Sequence, residues 1–153
     1  MQNTNIMSKK LELKIVTPEK LILQEMVDQV TLPTTVGELT ILPDHIPLIA
    51  SITSGDIVAV KDNESIPMAV SGGFLEVKNV DGLTQVAILA DLAEHVVDIT
   101  DEEINKAKAK AEELRKLALD KGTVDYEHFA AELERSLTRV KIADKWKSKK
   151  YRK

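Results

Sequence analysis

Short runs of alternating apolar and polar residues fill the first two thirds of the chain. Residues 11–16 alternate with period two, a pattern typical of a half-buried β-strand. Turn residues such as Asp62-Asn63 and Asp81-Gly82 separate the runs, and no helix-length segment interrupts them. Many short strands at about 8–12-residue spacing indicate a sandwich or barrel. The predicted strands are 11–16, 27–32, 37–41, 47–52, 57–60, 66–70, 74–77 and 85–89.

The last third of the chain changes to helical spacing. Thr100-Asp-Glu-Glu103 matches a capping box, in which the Thr100 and Glu103 side chains each accept the other residue's backbone N–H. Gly122 then predicts the end of a first helix, and the short link after it predicts an antiparallel second helix. Apolar residues recur at three- and four-residue intervals in both helices. These stripes are Ile104, Ala107, Ala111, Leu114 and Ala118, then Tyr126, Phe129 or Ala130, Leu133, Leu137 and Val140.

The charge of the 153-residue chain divides at the same place as the spacing. Residues 1–98 hold six lysines, no arginine and 14 acidic residues, whereas residues 99–153 hold 15 basic and 11 acidic residues. The first part is therefore −8 and the second +4, which together give the net charge of −4. We predict two units, a strand domain over 1–98 and a helical hairpin over 99–153 that ends in a basic tail at 145–153.

Composition excludes several kinds of chemistry. The absence of cysteine excludes disulfides, thiol nucleophiles and Cys-ligated metals. The three histidines are too scattered for a metal motif, and Gly72-Gly73 fits a hairpin turn better than a phosphate loop, because no helix follows it. We therefore predict no catalytic residue, no metal and no enzyme activity. The polar first ten residues and the lack of an 18-residue apolar run predict neither secretion nor a membrane span.

Four segments of the chain resemble the epsilon chain of F-type ATP synthases. Residues 37–48 are similar to its Gly-Glu-Leu…Pro-x-His-x-Pro-Leu segment, 71–77 to its Ser-Gly-Gly hairpin and 86–94 to its strand leaving the sandwich. The Ala-Lys-Ala-Glu-Glu run at 109–113, with residues 125–133, is similar to its helical hairpin. The resemblance covers about residues 11–143. It implies an N-terminal antiparallel β-sandwich of about ten strands, followed by a C-terminal antiparallel two-helix hairpin.

The resemblance also implies a function. Members of this family are non-catalytic subunits of the central rotor stalk, whose sandwich links the gamma subunit to the c-ring. Their helices lie folded on the sandwich or extend toward the alpha and beta subunits, where they inhibit ATP hydrolysis. The implied partners are therefore gamma, the c-ring, alpha and beta, with no nucleic acid. The implied location is the cytoplasmic face of a bacterial cell membrane, where the protein is peripheral and held through the complex.

Four residues of the first unit are implied at the rotor interface. They are Glu38, Pro43, His45 and Pro47. Taken alone, His45 fits an ordinary loop histidine equally well. The flanking prolines fix φ and stiffen the loop, which suits a surface that transmits torque.

Three cations of the second helix are implied at the catalytic subunits. By resemblance, Arg135, Arg139 and Lys141 would meet an acidic segment of the beta subunits. The same basic helix and tail leave an alternative open, a β-sandwich adaptor whose helical tail binds nucleic acid. A salt-dependent RNA shift that disappears when residues 144–153 are deleted would support this alternative.

The first helix begins where some bacterial members of the family bind ATP. Their segment reads Ile/Leu-Asp-x-x-Arg-Ala, whereas this chain has Ile99, Thr100, Glu103 and Ile104 at the corresponding first, second, fifth and sixth positions. The aspartate and the arginine are both replaced. A glutamate in place of the arginine repels phosphate groups, so we predict weak or absent ATP binding and no cofactor.

Overall fold

The computed structural model of the chain describes residues 8–118 and 126–150. Eight strands come first, and a 3₁₀ turn at Val96–Asp98 joins them to two helices. The helices are α1 (Asp101–Ala118) and α2 (Tyr126–Lys150). The strands are β1 (Leu11–Val16), β2 (Leu21–Val27), β3 (Gln29–Thr34), β4 (Gly37–Ile41), β5 (Leu48–Ile52), β6 (Gly55–Lys61), β7 (Glu64–Val80) and β8 (Leu83–His95).

The strands form one connected sheet that folds over on itself. Its order is β2-β1-β8-β7-β5-β3-β4, and β6 joins β3 to β7. Neighbouring strands are antiparallel except β1 and β8, which run parallel. The predicted antiparallel sandwich followed by two helices is confirmed, with this one parallel pair as an addition. The sequence missed β2, because its consecutive Leu21, Ile22 and Leu23 do not alternate.

Gly72 and Gly73 bend a continuous strand. The first half of β7 pairs with β6 and the second half with β5, so this strand passes from one layer to the other. The two glycines have φ of 63° and 134° at that point. A Cβ on Gly73 would lie 2.2 Å from the carbonyl oxygen of Leu89, so only glycine lets β8 pass this closely. The prediction of a hairpin turn here was therefore wrong.

The main core lies between the two layers of strands. Alternation places Leu11, Leu13 and Ile15 inside and Lys14 outside on β1. Every member of this core is contributed by a strand. Burying each large aliphatic side chain stabilises the fold by about 1.5–3 kcal/mol. The largest fully buried side chains are Leu11, Leu13, Ile15, Leu32, Ile41, Ile57, Met68, Leu75 and Ile88.

Helix α1 begins at the predicted capping box. The Glu103 N–H donates to Thr100 Oγ1 at 3.2 Å, and the Thr100 N–H donates to the Glu103 carboxylate at 2.8 Å. The second bond, together with the Thr100 hydroxyl, lowers the pKa of Glu103. The predicted stripe is confirmed at Ile104, Ala107, Ala111 and Leu114, which are all buried. The predicted end at Gly122 and the side chains of Ala118 and Tyr126 lie outside the described residues.

The predicted stripe of α2 is confirmed at Phe129, Leu133 and Val140, which are buried or half-buried, but not at Leu137. Leu137 was predicted to be buried but is 43% exposed, whereas Ser136 is buried. Adjacent residues of a helix point about 100° apart, so this exchange rotates the buried face. The polar Ser136 concealed the true spacing in the sequence. The buried positions described on α2 are Phe129, Ser136, Ile142 and Ala143, and the half-buried apolar ones are Leu133, Val140 and Trp146.

Candidate functional site

The loop between β4 and β5 holds three of the four residues implied at the rotor interface. Residues 42–47 make a tight turn in which the His45 N–H donates to the Leu42 carbonyl at 3.1 Å and Asp44 adopts a φ of 68°. Pro43 and Pro47 flank the turn. The structure thus places both prolines and His45 on one short connection, where the prolines restrict its backbone.

A chain of hydrogen bonds fixes this loop to the β7–β8 turn. The Asp44 N–H donates to Thr84 Oγ1 at 2.8 Å, and the Thr84 hydroxyl donates to Asn79 Oδ1 at 2.9 Å. The Asn79 amide then donates to the carbonyl of His45 at 3.0 Å. Thr84 is buried, so water does not compete for these bonds. The loop is therefore held rigidly against the longest strand pair of the sheet.

His45 and Glu38 lie in different places. The Nδ1 of His45 is 2.7 Å from the carbonyl oxygen of Ile46, an arrangement in which Nδ1 carries the proton and donates. Ile46 itself is 73% exposed. Glu38 is also exposed, but it lies at the far end of β4, beside the turn that contains Val36. The structure does not bring Glu38 into the 42–47 loop.

An exposed apolar patch on the outer sheet face was missed by the sequence reasoning. Phe74 on β7 pairs directly with Leu89 on β8, and Ile49 lies on the neighbouring β5. All three are large, apolar and more than half exposed. A signal was available, because residues 48–50 and 86–90 are apolar without interruption, as in strands covered on both faces. Exposed apolar patches of this kind mark binding surfaces.

Helix α2 contacts the strands through Arg139. Its Nε and Nη2 donate to the two carboxylate oxygens of Glu94 on β8, at 3.0 and 2.9 Å. Glu103 lies 3.7 Å from Nη2 and adds a second negative charge. Arg135, one turn earlier, lines with Arg139 a cavity of about 310 Å³ between α2 and the strands. Two of the three cations implied at the catalytic subunits are therefore close together.

Lys141, the third of these cations, lies elsewhere. It is exposed and lies beside Leu137 on a different face of α2. Six residues separate it from Arg135, and the rotation over six residues places the two on different sides of a helix. The three cations do not form one patch while the helix is in this position.

The last described turns of α2 also contact the strands. Ile142 and Ala143 join a small buried cluster with Ala69, Val96, Ile99 and Ile104. Lys145 Nζ and Trp146 Nε1 both donate to Asp56 Oδ2 on β6, at 2.7 and 3.1 Å. Burial opposes the ionisation of Asp56, but these two donors outweigh it and hold its pKa below the usual value. The residues predicted as a tail thus begin as a docked helix, and 151–153 lie outside the described part.

The four residues that correspond to the family's ATP motif all take part in contacts within the chain. Thr100 and Glu103 form the capping box, and Ile99 and Ile104 are buried beneath α2. Within residues 8–118 and 126–150, no group of three or more His, Asp or Glu side chains is arranged to hold a metal ion. Neither α1 nor the described part of α2 has the length and apolarity needed to cross a bilayer.

Comparisons with known sequences identify related proteins. A family model described as the ATP synthase, Delta/Epsilon chain, beta-sandwich domain matches residues 10–96. The ATP synthase epsilon chain of Nitratidesulfovibrio vulgaris is 39% identical over 136 residues, which are 89% of this chain and 97% of that one. The ATP synthase epsilon chain of Desulforamulus reducens is 36% identical over 138 residues, 90% of this chain and 100% of that one.

Two solved structures share the fold. One is a chain in the OSCP/F1/c-ring assembly of the Euglena gracilis mitochondrial ATP synthase, with a TM-score of 0.63 and 22% identity over 97% of this chain and 85% of that one. The other is a chain in the central stalk and c-ring of the Tetrahymena thermophila enzyme, with a TM-score of 0.52 and 16% identity over 90% and 96%. At these identities the likeness concerns the fold.

Proposed function

Because the chain belongs to the ATP synthase epsilon chain family, we propose that it is a non-catalytic subunit of the central rotor stalk of an F-type ATP synthase. Chains of the same fold occur in c-ring and central-stalk assemblies, which supports gamma, the c-ring, alpha and beta as its partners. Its bacterial relatives support a peripheral location, through the complex, at the cytoplasmic face of a bacterial cell membrane.

The strand domain, residues 1–98, is proposed as the part that binds the rotor. The braced 42–47 loop, with Pro43, His45 and Pro47, offers a rigid contact for the c-ring or gamma. The patch of Ile49, Phe74 and Leu89 offers an exposed apolar surface of the kind that binds a partner. Glu38 would add an exposed charge worth about 0–1 kcal/mol, which sets docking register more than affinity.

The helical hairpin, residues 99–153, is proposed as the part that regulates ATP hydrolysis. One observation supports this most strongly: the hairpin contacts the strands through a small cluster that is separate from the strand core. The hairpin can therefore leave without opening that core. In the extended state Arg135, Arg139 and Lys141 would contact the catalytic subunits, and Arg139 would exchange Glu94 for a carboxylate there.

Chains of two lengths test which part binds the rotor and which part regulates ATP hydrolysis. Both the 1–98 chain and the full 1–153 chain should co-purify with gamma and the c-ring, because every core residue of the strands is present in both. Only the full chain should lower the ATP hydrolysis rate. A folded 1–98 chain that fails to co-purify would refute the rotor-binding assignment, and equal hydrolysis rates would refute the regulatory one.

Charge reversal tests the proposed contact with the catalytic subunits. Changing Arg135, Arg139 and Lys141 to Glu in the full chain should relieve inhibition and leave assembly intact. Reversing Arg115 and Lys116, two exposed cations in the last turn of α1, is the matched control and should leave inhibition unchanged. Equal inhibition by the triple variant and the wild type would show that electrostatic capture is not the mechanism.

A further inference from the structure

Three residues form a row across the strands beneath α2. Asp56 on β6 pairs directly with Ala69 on β7, and Ala69 pairs directly with Glu94 on β8. Residues directly opposite one another on neighbouring strands point to the same face of a sheet. The row therefore presents a carboxylate, a small apolar side chain and a second carboxylate in that order. We call Asp56, Ala69 and Glu94 the docking row.

Helix α2 carries the complement of this row. Arg139 donates to Glu94 through two nitrogens, whereas Lys145 and Trp146 both donate to Asp56. Between them, Ile142 and Ala143 share a buried cluster with Ala69. Asp56 is only 19% exposed, so its contact is largely shielded from water. Cation, apolar pair and cation thus face carboxylate, alanine and carboxylate.

The spacing of the two patterns agrees. Seven residues from Arg139 to Trp146 complete about two turns, so both side chains lie on one face of α2, about 10.5 Å apart along the helix. Lys145 reaches Asp56 from beside this face. Two strand-to-strand steps, from β8 across β7 to β6, span about 9.5 Å. The two ends of this helix segment therefore reach Glu94 on β8 and Asp56 on β6, two strands apart, and the small Ala69 between them leaves room for the helix to approach.

The apolar centre of the pattern distinguishes this register from its nearest competitor. Arg135 and Lys141 stand in the same relation to each other as Arg139 and Lys145, so a shift of one turn would offer Arg135 to Glu94 and Lys141 to Asp56. That shift would place Thr138 and Arg139 over Ala69, in the place of Ile142 and Ala143. Burying a charged side chain against an apolar cluster is unfavourable, and the shifted register is rejected.

We propose that the docking row is the contact that sets the resting position and register of the helical hairpin. Charge attracts the two ends of the α2 segment, and Ala69 selects the register through its centre. A partner that supplies carboxylates to Arg139 and Lys145 would release α2 from the docking row by exchange. This last step rests on the regulatory function proposed above, whereas docking on the row is a property of the isolated chain.

The isolated full-length chain allows a direct test. It has no cysteine and one tryptophan, so Ser65→Cys and Glu134→Cys add a unique pair of spin labels, and Trp146 emission gives a second readout. Asp56→Asn and Glu94→Gln should each raise the ratio of released to docked chains about fivefold, as expected for a partly exposed ion pair. The double variant should exceed either single one. Release should appear as longer inter-label distances and red-shifted Trp146 emission.

Asp62→Asn is the matched control. Asp62 also pairs with a lysine, Lys10, but lies at the β6–β7 turn, where asparagine tolerates its φ of 50°. Its distance distribution should equal that of the wild type. A charge swap, Glu94→Arg with Arg139→Glu, should restore docking that Glu94→Arg alone removes.

The outcomes distinguish docking on the row from the proposed regulatory function. A wild-type distance distribution in the Asp56→Asn, Glu94→Gln double variant would overturn the proposal, as would a charge swap without rescue. The same double variant is then assembled with its partners. Release of the hairpin in the isolated chain with an unchanged ATP hydrolysis rate would support the docking proposal and refute the regulatory function.

Discussion

The strand core and the contact beneath α2 are both apolar, but they differ in the number of buried side chains and in the charged residues at their edges. The strand core joins 18 buried side chains from all eight strands, whereas the contact beneath α2 joins six, two of which are alanines. At about 1.5–3 kcal/mol for each large side chain, the core contributes several times more. The stability of the fold and the position of the hairpin are therefore separate quantities.

The edges of the smaller contact explain how it can still be specific. Arg139 and Glu94 are each about one third exposed, and exposed ion pairs contribute about 0–1 kcal/mol. Such pairs add little adhesion, but the two nitrogens of Arg139 require one orientation of Glu94. The apolar cluster thus holds the helix down, and the charges determine where it lies.

The largest expected effect is in the strand core. Leu75→Ala removes a fully buried side chain from the middle of β7, and the cavity should lower the free energy of unfolding by about 3 kcal/mol. Urea denaturation followed by circular dichroism measures the change. The position of the hairpin at low urea, reported by Trp146 emission, should not change.

Phe74→Ala is the matched control, since Phe74 is the preceding residue on β7 and faces outward. Its effect on unfolding should stay within about 0.5 kcal/mol, as is usual for exposed sites. Similar losses in both variants would mean that the two faces of β7 are not distinguished as described.

The next effect should appear beneath α2. Ile142→Ala truncates the larger of the two α2 side chains buried in the cluster and should destabilise the docked hairpin by about 2 kcal/mol. The free energy of unfolding of the strands should fall much less, because the hairpin can detach while the core stays closed. Leu137→Ala, on the exposed side of α2, should leave docking unchanged. If the strands unfolded together with the released hairpin, the strand core would not be independent of hairpin docking.

The sequence predicted elements well where one physical rule acted alone. The alternation of residues 11–16, the Thr100–Glu103 capping box and the stripe of α1 all appear as expected. Each depends on neighbours close along the chain. The β7 bend at Gly73 was misread, because the strand it approaches, β8, lies 16 residues away at Leu89.

The candidate site was less accessible to sequence reasoning. The docking row needs Asp56, Ala69 and Glu94 to meet across three strands, and pairing across a sheet is not written in any local pattern. Lys145 and Trp146 looked like part of a charged tail because their partner is 89 or 90 residues away. The 42–47 loop, by contrast, was singled out by its resemblance to the family segment, to which Pro43 and Pro47 belong.

A smaller effect is expected at the start of α1. Thr100→Ala removes the hydroxyl that accepts the Glu103 N–H and should destabilise the helix by about 1 kcal/mol. Because Ile99 and Ile104 flank the cap and lie beneath α2, docking should weaken by the same amount. Thr100→Ser keeps the hydroxyl and should behave as the wild type. Equal behaviour of the two variants in the spin-label measurement would show that the cap does not support docking.

The smallest expected effect is that of pH on Asp56. Burial alone would raise the pKa of Asp56, but Lys145 and Trp146 outweigh it and hold that pKa below its usual value. A carboxyl whose pKa is lowered on folding contributes stability that is complete above the unfolded pKa and lost as pH falls through the folded one. Docking should therefore be constant from about pH 7 to 5 and weaken below about pH 4, by under about 1 kcal/mol because the pair is partly exposed.

Trp146 emission, recorded from about pH 7 to 2.5 in the wild type and in Asp56→Asn, isolates this contribution. Other carboxylates titrate in the same range, including Glu103, whose pKa is also lowered. They titrate in both proteins, so the difference between the two curves belongs to Asp56. The curves should differ at neutral pH and converge in acid, because protonated Asp56 and asparagine both lack the charge that attracts Lys145. Curves that stay parallel throughout would mean that the side-chain charge of Asp56 does not hold α2.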